Sequence, residues 1–123
     1  MAKVLIIDDD KDIIETTGAL LEFEGFEIHS SDTVEDGIAM IDVIKPDIIL
    51  LDIMFPEKKT RGFEAASEIK EKYPAMPILA FTAINRDYAF DFTQEDIKAD
   101  EFINKPVETD KLIELINKYI NKS

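Results

Sequence analysis

Short runs of hydrophobic residues alternate along this chain with longer segments that have helical periodicity. Five runs are predicted to be strands, and three of them are continuously apolar, which is typical of strands covered by helices on both faces. The predicted strands are Val4–Ile7, Phe26–Ser30, Ile48–Leu51, Ile78–Phe81 and Glu101–Ile103. This alternation predicts an α/β fold with a single doubly wound parallel sheet.

Four segments between or after these runs repeat apolar residues at helical spacing. The predicted helices are Lys11–Glu24, Thr33–Ile44, Gly62–Tyr73 and Thr109–Lys122. We expect Gly25 to cap the end of the first helix, and Ser31 or Asp32 to cap the start of the second. The buried stripe predicted for the first helix consists of Ile13, Thr17, Leu20 and Leu21.

The segment Asp87–Asp96 breaks the pattern. It stands where a fourth helix is expected, yet Tyr88, Phe90 and Phe92 recur at every second residue, which is strand periodicity. We therefore expect the helix within Asp87–Ala99 to be short, displaced or mobile.

Composition fits one globular domain over residues 1–123, since 46% of the residues are hydrophobic. Without cysteine the chain has neither disulfides nor thiolate metal ligands, and a reducing cytoplasm is the expected location. No apolar run approaches the ~20 residues that span a bilayer, so no membrane association is expected. The formal charge of −13 disfavours direct binding to nucleic acid, which is itself densely negative.

Polar side chains follow the predicted strands where those strands end. Asp8 and Asp9 follow the first strand, Asp52 the third, Thr82 the fourth, and Lys105 lies just beyond the last. Binding sites in open α/β sheets lie outside the carboxyl ends of the strands, so we expect these side chains to converge at one edge. Carboxylate oxygens that leave room for water and phosphate are the ligands that Mg²⁺ prefers, and Asp8, Asp9 and Asp52 therefore predict a Mg²⁺ site.

An EF-hand calcium loop is an alternative explanation of Asp8, Asp10 and Asp12. It fails because the sixth loop position is Ile13 instead of glycine and the twelfth is Ala19 instead of glutamate. We expect Asp10 and Asp12 to lie in the first turn of a helix, where negative charge interacts favourably with the helix dipole.

Four motifs resemble those of a known family. The segments VLIIDDD, IILLDIMFP, ILAFTA and FINKP look like the receiver domain of two-component response regulators, the CheY-like family. The resemblance covers essentially the whole chain. It implies a flavodoxin-like (βα)5 domain with a five-stranded parallel sheet of order 2-1-3-4-5, formed by residues 1–123 with no output domain in this chain.

The same resemblance implies roles in phosphoryl transfer, metal binding and switching. Phosphoryl transfer would use Asp52 as the phosphoacceptor, together with Thr82 and Lys105. The Mg²⁺ ligands would be Asp8, Asp9, Asp52 and the Met54 backbone carbonyl, and the switch residues would be Thr82 and Phe102.

The function implied by the resemblance is a phosphorylation-controlled signalling switch. A histidine kinase or histidine phosphotransfer protein would donate a phosphoryl group to Asp52, and a downstream protein would recognise the altered surface. Such a domain catalyses its own phosphorylation and dephosphorylation, but it acts primarily as a switch. The alternative is a constitutive protein-interaction module with this fold that no longer relies on phosphotransfer.

Two other classes of protein fit the sequence less well. A flavodoxin needs a hydroxyl- and glycine-rich phosphate loop after the first strand, whereas the aspartates of residues 8–12 would repel phosphate. A haloacid-dehalogenase-type phosphatase needs an aspartate two residues after its nucleophile, where this chain has Met54. The chain also departs from the receiver pattern, because its Glu57–Arg61 loop is longer and contains the basic residues Lys58, Lys59 and Arg61. We interpret this loop as solvated, and the alternative is that it helps to dock a phosphorylated partner.

Overall fold

The computed structural model describes residues 2–52, 61–83, 99–105 and 108–120. Strands and helices alternate through these ranges as the hydrophobic pattern predicts. The elements in chain order are β1 (Lys3–Ile7), α1 (Lys11–Phe23), β2 (Glu27–Ser31), α2 (Val34–Ile44), β3 (Ile48–Asp52), α3 (Arg61–Lys72), β4 (Ile78–Ala83), β5 (Glu101–Lys105) and α4 (Thr109–Ile120).

The five strands of the described ranges form one parallel sheet in the order β2-β1-β3-β4-β5. In the centre of this sheet, Val4 of β1 pairs with Ile28 of β2 on one side and with Ile48 of β3 on the other. Parallel strands bring all their carboxyl ends to the same edge, here called the carboxyl edge. The α/β class and the parallel sheet are thus confirmed, with the strand order that the family resemblance implies.

Alternate residues of the central strands enter two separate cores. Leu5 and Ile7 of β1 belong to one core cluster, which contains residues of α2 and α3, including Ile41 and Ile69. Val4 and Ile6 belong to the opposite cluster, which contains residues of α1 and α4. Successive strand residues point to opposite faces of a sheet, so a strand covered on both sides must be apolar at every position.

The ends of α1 and α2 follow local chemistry. Asp10 caps the start of α1, and its side chain accepts hydrogen bonds from the backbone N–H groups of Asp12 and Ile13. Gly25 follows the end of α1 with a φ of 100°, a conformation that favours glycine. Thr33 caps α2 through a hydrogen bond from the Asp36 N–H, so the expectation that Ser31 or Asp32 would be the cap is wrong.

The buried face of α1 also differs from the predicted stripe. Leu21 is fully buried, but Leu20 is 45% exposed, so its assignment to the core is wrong. Gly18 is buried instead, and a Cβ added there would lie 3.4 Å from Ile28 Cγ2. The small residue lets α1 lie close to β2, so the buried face of this helix includes a position without an apolar side chain.

The expected fourth helix, within Asp87–Ala99, falls almost entirely on residues 84–98, which lie outside the described ranges. The same holds for most of the 57–61 loop, so these two expectations and the five-helix count stay predictions. Within the described ranges, no helix is long and apolar enough to cross a membrane.

Candidate functional site

The register of the sheet brings three aspartates together at the carboxyl edge. Asp52 is the last residue of β3, and Asp8 directly follows β1. Because Ile7 pairs with Leu51, Asp8 and Asp52 come next on neighbouring strands. Carboxylate oxygens of Asp8, Asp9 and Asp52 all lie within 4.8 Å of one another, as their positions at the strand ends predict.

Two of these carboxylates are withdrawn from solvent. Asp8 and Asp52 are only 3% and 5% exposed, whereas Asp9 is exposed at the rim. Burying a carboxylate costs free energy unless hydrogen bonds or positive charge compensate for the lost water. The Asp8 Oδ1 accepts a hydrogen bond from the Asp10 N–H at 2.9 Å, and every buried side-chain polar atom of the described ranges has a hydrogen-bond partner.

A hydrogen bond to β2 fixes the turn that presents Asp8. The Asp8 N–H donates to the Ser31 carbonyl at 3.1 Å, which extends the pairing of β1 and β2 by one residue. The sequence suggests Ser31 only as a possible helix cap and gives it no part in the site, since that part depends on the register of two strands. The signal available in the sequence was the position of Ser31 at the carboxyl end of a predicted strand.

Asp10, the third aspartate of the run, caps the start of α1. Asp10 Oδ1 accepts the Asp12 N–H at 2.9 Å and the Ile13 N–H at 3.3 Å. Asp12 lies in the first turn as expected, but Asp10 precedes that turn as its cap, so its predicted position is wrong by one residue. The cap starts α1 immediately after the turn, which holds Asp8 and Asp9 at the carboxyl edge.

A small cavity of about 20 Å³ lies beside Asp8 and Asp52. The other residues lining it are Ile6, Ile13, Thr17, Leu50 and Phe81. A cavity needs roughly 10–15 Å³ to hold one water molecule, so the space beside the carboxylates admits about one water. Electrostatic interactions at the site are strengthened by these mostly apolar surroundings, because the local dielectric is low.

The remaining predicted site residues are described through their backbone or lie outside the described ranges. Asp52 pairs with Phe81, so Thr82, which follows Phe81, lies just beyond the level of Asp52. Lys105 pairs with Ala83 at the end of β5, and Phe102 pairs with Ala80 near the start of that strand. The backbone thus brings Thr82 and Lys105 to the carboxyl edge and leaves Phe102 further from it. Met54 lies outside the described ranges.

The donor chemistry of Asp8, Asp9 and Asp52 fits a small, hard divalent cation. Mg²⁺ is bound by carboxylate oxygens and keeps several positions for water or phosphate oxygens. A cation among the three carboxylates would reduce their mutual repulsion. Asp9, at the exposed rim, leaves the cluster open to solvent on one side. The site therefore has the composition and access needed for metal-assisted phosphate chemistry.

Comparison with protein families gives a match over nearly all of the chain. The family model described as "Response regulator receiver domain" matches residues 4–117. The matched region extends from most of β1 to most of α4, and it includes Asp8, Asp9, Asp52, Thr82 and Lys105.

Several solved structures share the fold. A CheY-like receiver domain protein from Methanospirillum hungatei JF-1 is 28% identical with a TM-score of 0.84, and the match covers 99% of this chain and 95% of that one. A receiver domain protein from Clostridium thermocellum is 29% identical with a TM-score of 0.84, covering 99% and 96%. NtrX from Brucella abortus, solved in complex with ADP, is 27% identical with a TM-score of 0.82; the match covers 98% of this chain but 26% of that longer chain.

Proposed function

The chain belongs to the response regulator receiver domain family of two-component signalling, and on this premise we propose that it is a switch that accepts a phosphoryl group on Asp52. The observation that carries the proposal is the buried Asp52 carboxylate at the end of β3, with carboxylate oxygens of Asp8 and Asp9 within 4.8 Å. A structural core gains nothing from three converging carboxylates, whereas phosphoryl transfer needs a nucleophile beside a place for positive charge.

The transfer requires one nucleophile and a good leaving group. A carboxylate oxygen of Asp52 attacks the phosphorus of a phosphohistidine on the donor protein, the P–N bond breaks, and the imidazole leaves. The product is an acyl phosphate on Asp52, and no proton has to be removed from the attacking carboxylate. Most of the rate enhancement in phosphoryl transfer comes from positioning and charge stabilisation, which is the role we propose for the residues around Asp52.

Asp8, Asp9 and Asp52 would hold Mg²⁺, with the Met54 carbonyl as a further proposed ligand. When bound, the ion supplies positive charge that offsets the carboxylates and the phosphoryl oxygens. The turn that joins Asp8 to Asp10 supports this role, since the 2.9 Å hydrogen bond from the Asp10 N–H fixes one Asp8 oxygen. We propose that Asp8 acts mainly by orienting the cluster, because it is the most buried of the three.

Thr82 and Lys105 would contact the phosphoryl group after transfer. Their backbone positions at the carboxyl ends of β4 and β5 support this assignment. We propose that the hydrogen bond from Thr82 to the phosphoryl group favours one of two arrangements of the loop after β4, and that Phe102 turns in response. Since the phosphoryl contact exists in one arrangement and not the other, phosphorylation shifts the population between them.

The partners that follow from this mechanism are proteins. A histidine kinase or a histidine phosphotransfer protein would be the donor, and a downstream protein would recognise the switched surface. The net charge of −13 disfavours nucleic acid as a direct partner. The family match over residues 4–117 supports a single receiver domain within residues 1–123.

Intact-mass measurement after incubation with acetyl phosphate tests the proposal. We expect one added phosphoryl group on the wild-type protein with Mg²⁺, none on Asp52→Asn, and none with EDTA. Asp110→Asn is the matched control, since it removes an exposed carboxylate of α4 and should leave the adduct unchanged. A folded wild-type protein without an adduct, or an undiminished adduct on Asp52→Asn, would contradict the proposal.

A further inference from the structure

An open groove lies between α1 and α2, over the end of β2. Its volume is about 370 Å³, within the ~300–1,000 Å³ typical of ligand sites. Ile14 of α1 and Met40 of α2, both half-buried, line it from opposite sides of the sheet edge, since they pack against opposite core clusters. Ser30 and Ser31 close it at the end of β2. This α1–α2 groove, lined also by Lys11, Asp32 and Asp36, is separate from the small cavity beside Asp52.

The rim of the α1–α2 groove is acidic. Asp32 and Asp36 line it and are exposed, and Lys11 is the one basic residue among its lining residues. Lys11 Nζ lies 3.8 Å from Asp32 Oδ2, and their side chains are 82% and 47% exposed, so this ion pair is weak and solvent competes with it. The first turn of α2 adds Glu35 beside Asp36. An incoming basic group can therefore replace Lys11 at little cost.

We propose that the α1–α2 groove binds a basic amphipathic helix of a partner protein. The acidic rim complements lysine or arginine, and Ile14 and Met40 offer apolar surface to leucine-like side chains on either side of the sheet edge. A small cation would leave these apolar side chains uncovered, and nucleic acid would be repelled by the acidic rim. The proposal goes beyond phosphorylation of Asp52 and does not depend on it.

The α1–α2 groove is connected to the carboxyl edge through the backbone. Ser31 lines the groove, and its carbonyl accepts the hydrogen bond from the Asp8 N–H at 3.1 Å. A helix bound in the groove would therefore lie next to Ser31, whose carbonyl accepts a hydrogen bond from the backbone of Asp8. The partner would sit beside the phosphoacceptor site without entering it.

A peptide titration followed by NMR tests this binding on the full chain. The probe is an amidated helix of leucine and arginine, about 14 residues or four turns long, with all leucines on one face. We expect saturable shifts of the Ile14 amide and of the amides from Ser30 to Asp36. Because surface charge pairs are screened by salt, the affinity should fall as the ionic strength rises.

Two charge-reversal variants locate the binding. Asp32→Lys with Asp36→Lys should weaken the affinity by about tenfold or more, as expected when complementary charge becomes repulsive. Asp110→Lys with Glu114→Lys is the matched control, since these acidic residues of α4 are also exposed and four positions apart, and it should change the affinity by less than about twofold. If the first variant fails to fold, Asp32→Asn with Asp36→Asn makes the same test with a smaller expected loss.

A scrambled peptide of identical composition separates docking from general charge attraction. It lacks the apolar face, and we expect it to bind far more weakly at the α1–α2 groove. Three results would overturn the proposal: equal shifts of the groove amides with both peptides, shifts confined to other surfaces, or unchanged affinity in the Asp32 and Asp36 variants. Phosphorylation by acetyl phosphate is measured independently, so failure of one proposal is distinguishable from failure of the other.

Discussion

Lys70 of α3 reaches the start of β5 and donates a hydrogen bond to Asp100, with Nζ and Oδ2 2.7 Å apart. The same Asp100 oxygen accepts the Ile78 N–H of β4 at 2.8 Å, and Lys70 also donates to the Met76 carbonyl at 2.6 Å. This network ties one helix to the amino ends of two strands. Thr82 and Lys105 lie at the opposite ends of those strands. The network therefore fixes the amino ends of the two strands whose carboxyl ends contain two proposed site residues.

We predict that Lys70→Met lowers the free energy of unfolding by about 1.5–3 kcal/mol, the range for hydrogen bonds to a charged group. The side chains of Lys70 and Asp100 are 21% and 33% exposed, so solvent screens this pair less than it screens the Lys72–Asp42 pair. Urea unfolding followed by circular dichroism measures the effect. Lys72→Met is the matched control on the same helix: Lys72 pairs with Asp42 at 3.3 Å, but both side chains are more than half exposed, and its loss should be much smaller. Equal effects of the two substitutions would contradict this account.

Gly37 lies against β1, and this contact yields a second prediction. A Cβ added at Gly37 would lie 2.6 Å from Ile7 Cδ1 and 2.7 Å from Ile7 Cγ1, and Ile7 is fully buried. Alanine normally stabilises a helix interior by ~1 kcal/mol relative to glycine, but overpacking a core costs ~1–3 kcal/mol. We expect Gly37→Ala to be destabilising overall.

Gly18→Ala is the control for Gly37→Ala, because its added Cβ would meet Ile28 Cγ2 at an ordinary 3.4 Å. It should be neutral or stabilising in the same urea measurement. Ile7→Ala should cost less in the Gly37→Ala background than in the wild type, since it removes the atoms that clash. Additive effects of the two substitutions would show that the contact does not limit the packing of α2.

The strands were the most predictable part of this fold. Strands covered on both faces must be apolar at every position, so the runs in the sequence locate β1, β3 and β4 directly. The cap of α2 was less predictable, because Ser31, Asp32 and Thr33 are all suitable residues and the choice depends on Ser31 remaining in β2. The exposure of Leu20 was missed because a buried glycine, Gly18, leaves no mark in a hydrophobic pattern.

The candidate site likewise has features that the sequence predicts and features that it does not. The meeting of Asp8, Asp9 and Asp52 follows from strand ends at one edge of a parallel sheet, which the sequence pattern is sufficient to predict. The α1–α2 groove and the cavity beside Asp52 arise where separate helices pack across a strand. Periodicity within one segment contains no information about such packing, so these features emerge only from the folded chain.

Mg²⁺ binding should increase the thermal stability of the folded protein. Mg²⁺ binds the folded cluster of Asp8, Asp9 and Asp52, so it should raise the thermal midpoint; at about 100 times its Kd the gain is ~2.7 kcal/mol. Asp9→Asn should raise the midpoint without Mg²⁺, because it removes one of three repelling carboxylates, and it should lose most of the Mg²⁺-dependent rise. Calorimetric scans with and without Mg²⁺ measure both effects. A full Mg²⁺-dependent rise in Asp9→Asn would exclude Asp9 as a ligand.

Ionisation of Tyr119 at alkaline pH should weaken the packing of α4 on β5. Its hydroxyl lies 2.5 Å from Glu101 Oε2 and 3.1 Å from the Asp100 carbonyl. Burial and the hydrogen bond to Glu101 raise the pKa of Tyr119 from 10.0 to about 12. The stability that the neutral hydroxyl contributes is therefore complete below pH 10 and lost as the pH rises through about 12.

The ring carbon resonance next to the Tyr119 hydroxyl, assigned by its loss in Tyr119→Phe, reports the titration directly. We expect its midpoint near the raised pKa of about 12. Replacing Glu101 with glutamine removes the neighbouring charge and should move this midpoint toward the ordinary value. A midpoint at the ordinary value in the wild-type protein would show that the hydrogen bond between Tyr119 and Glu101 is absent in solution.

The most direct test of the central claim is to locate the phosphoryl group at a single residue. After phosphorylation by acetyl phosphate with Mg²⁺, borohydride reduces an aspartyl phosphate to homoserine, and mass spectrometry of peptides then identifies the modified position. We expect homoserine at position 52, with Asp8 and Asp9 unmodified. Homoserine at position 8 or 9, or a folded, Mg²⁺-binding protein without homoserine, would contradict the central claim.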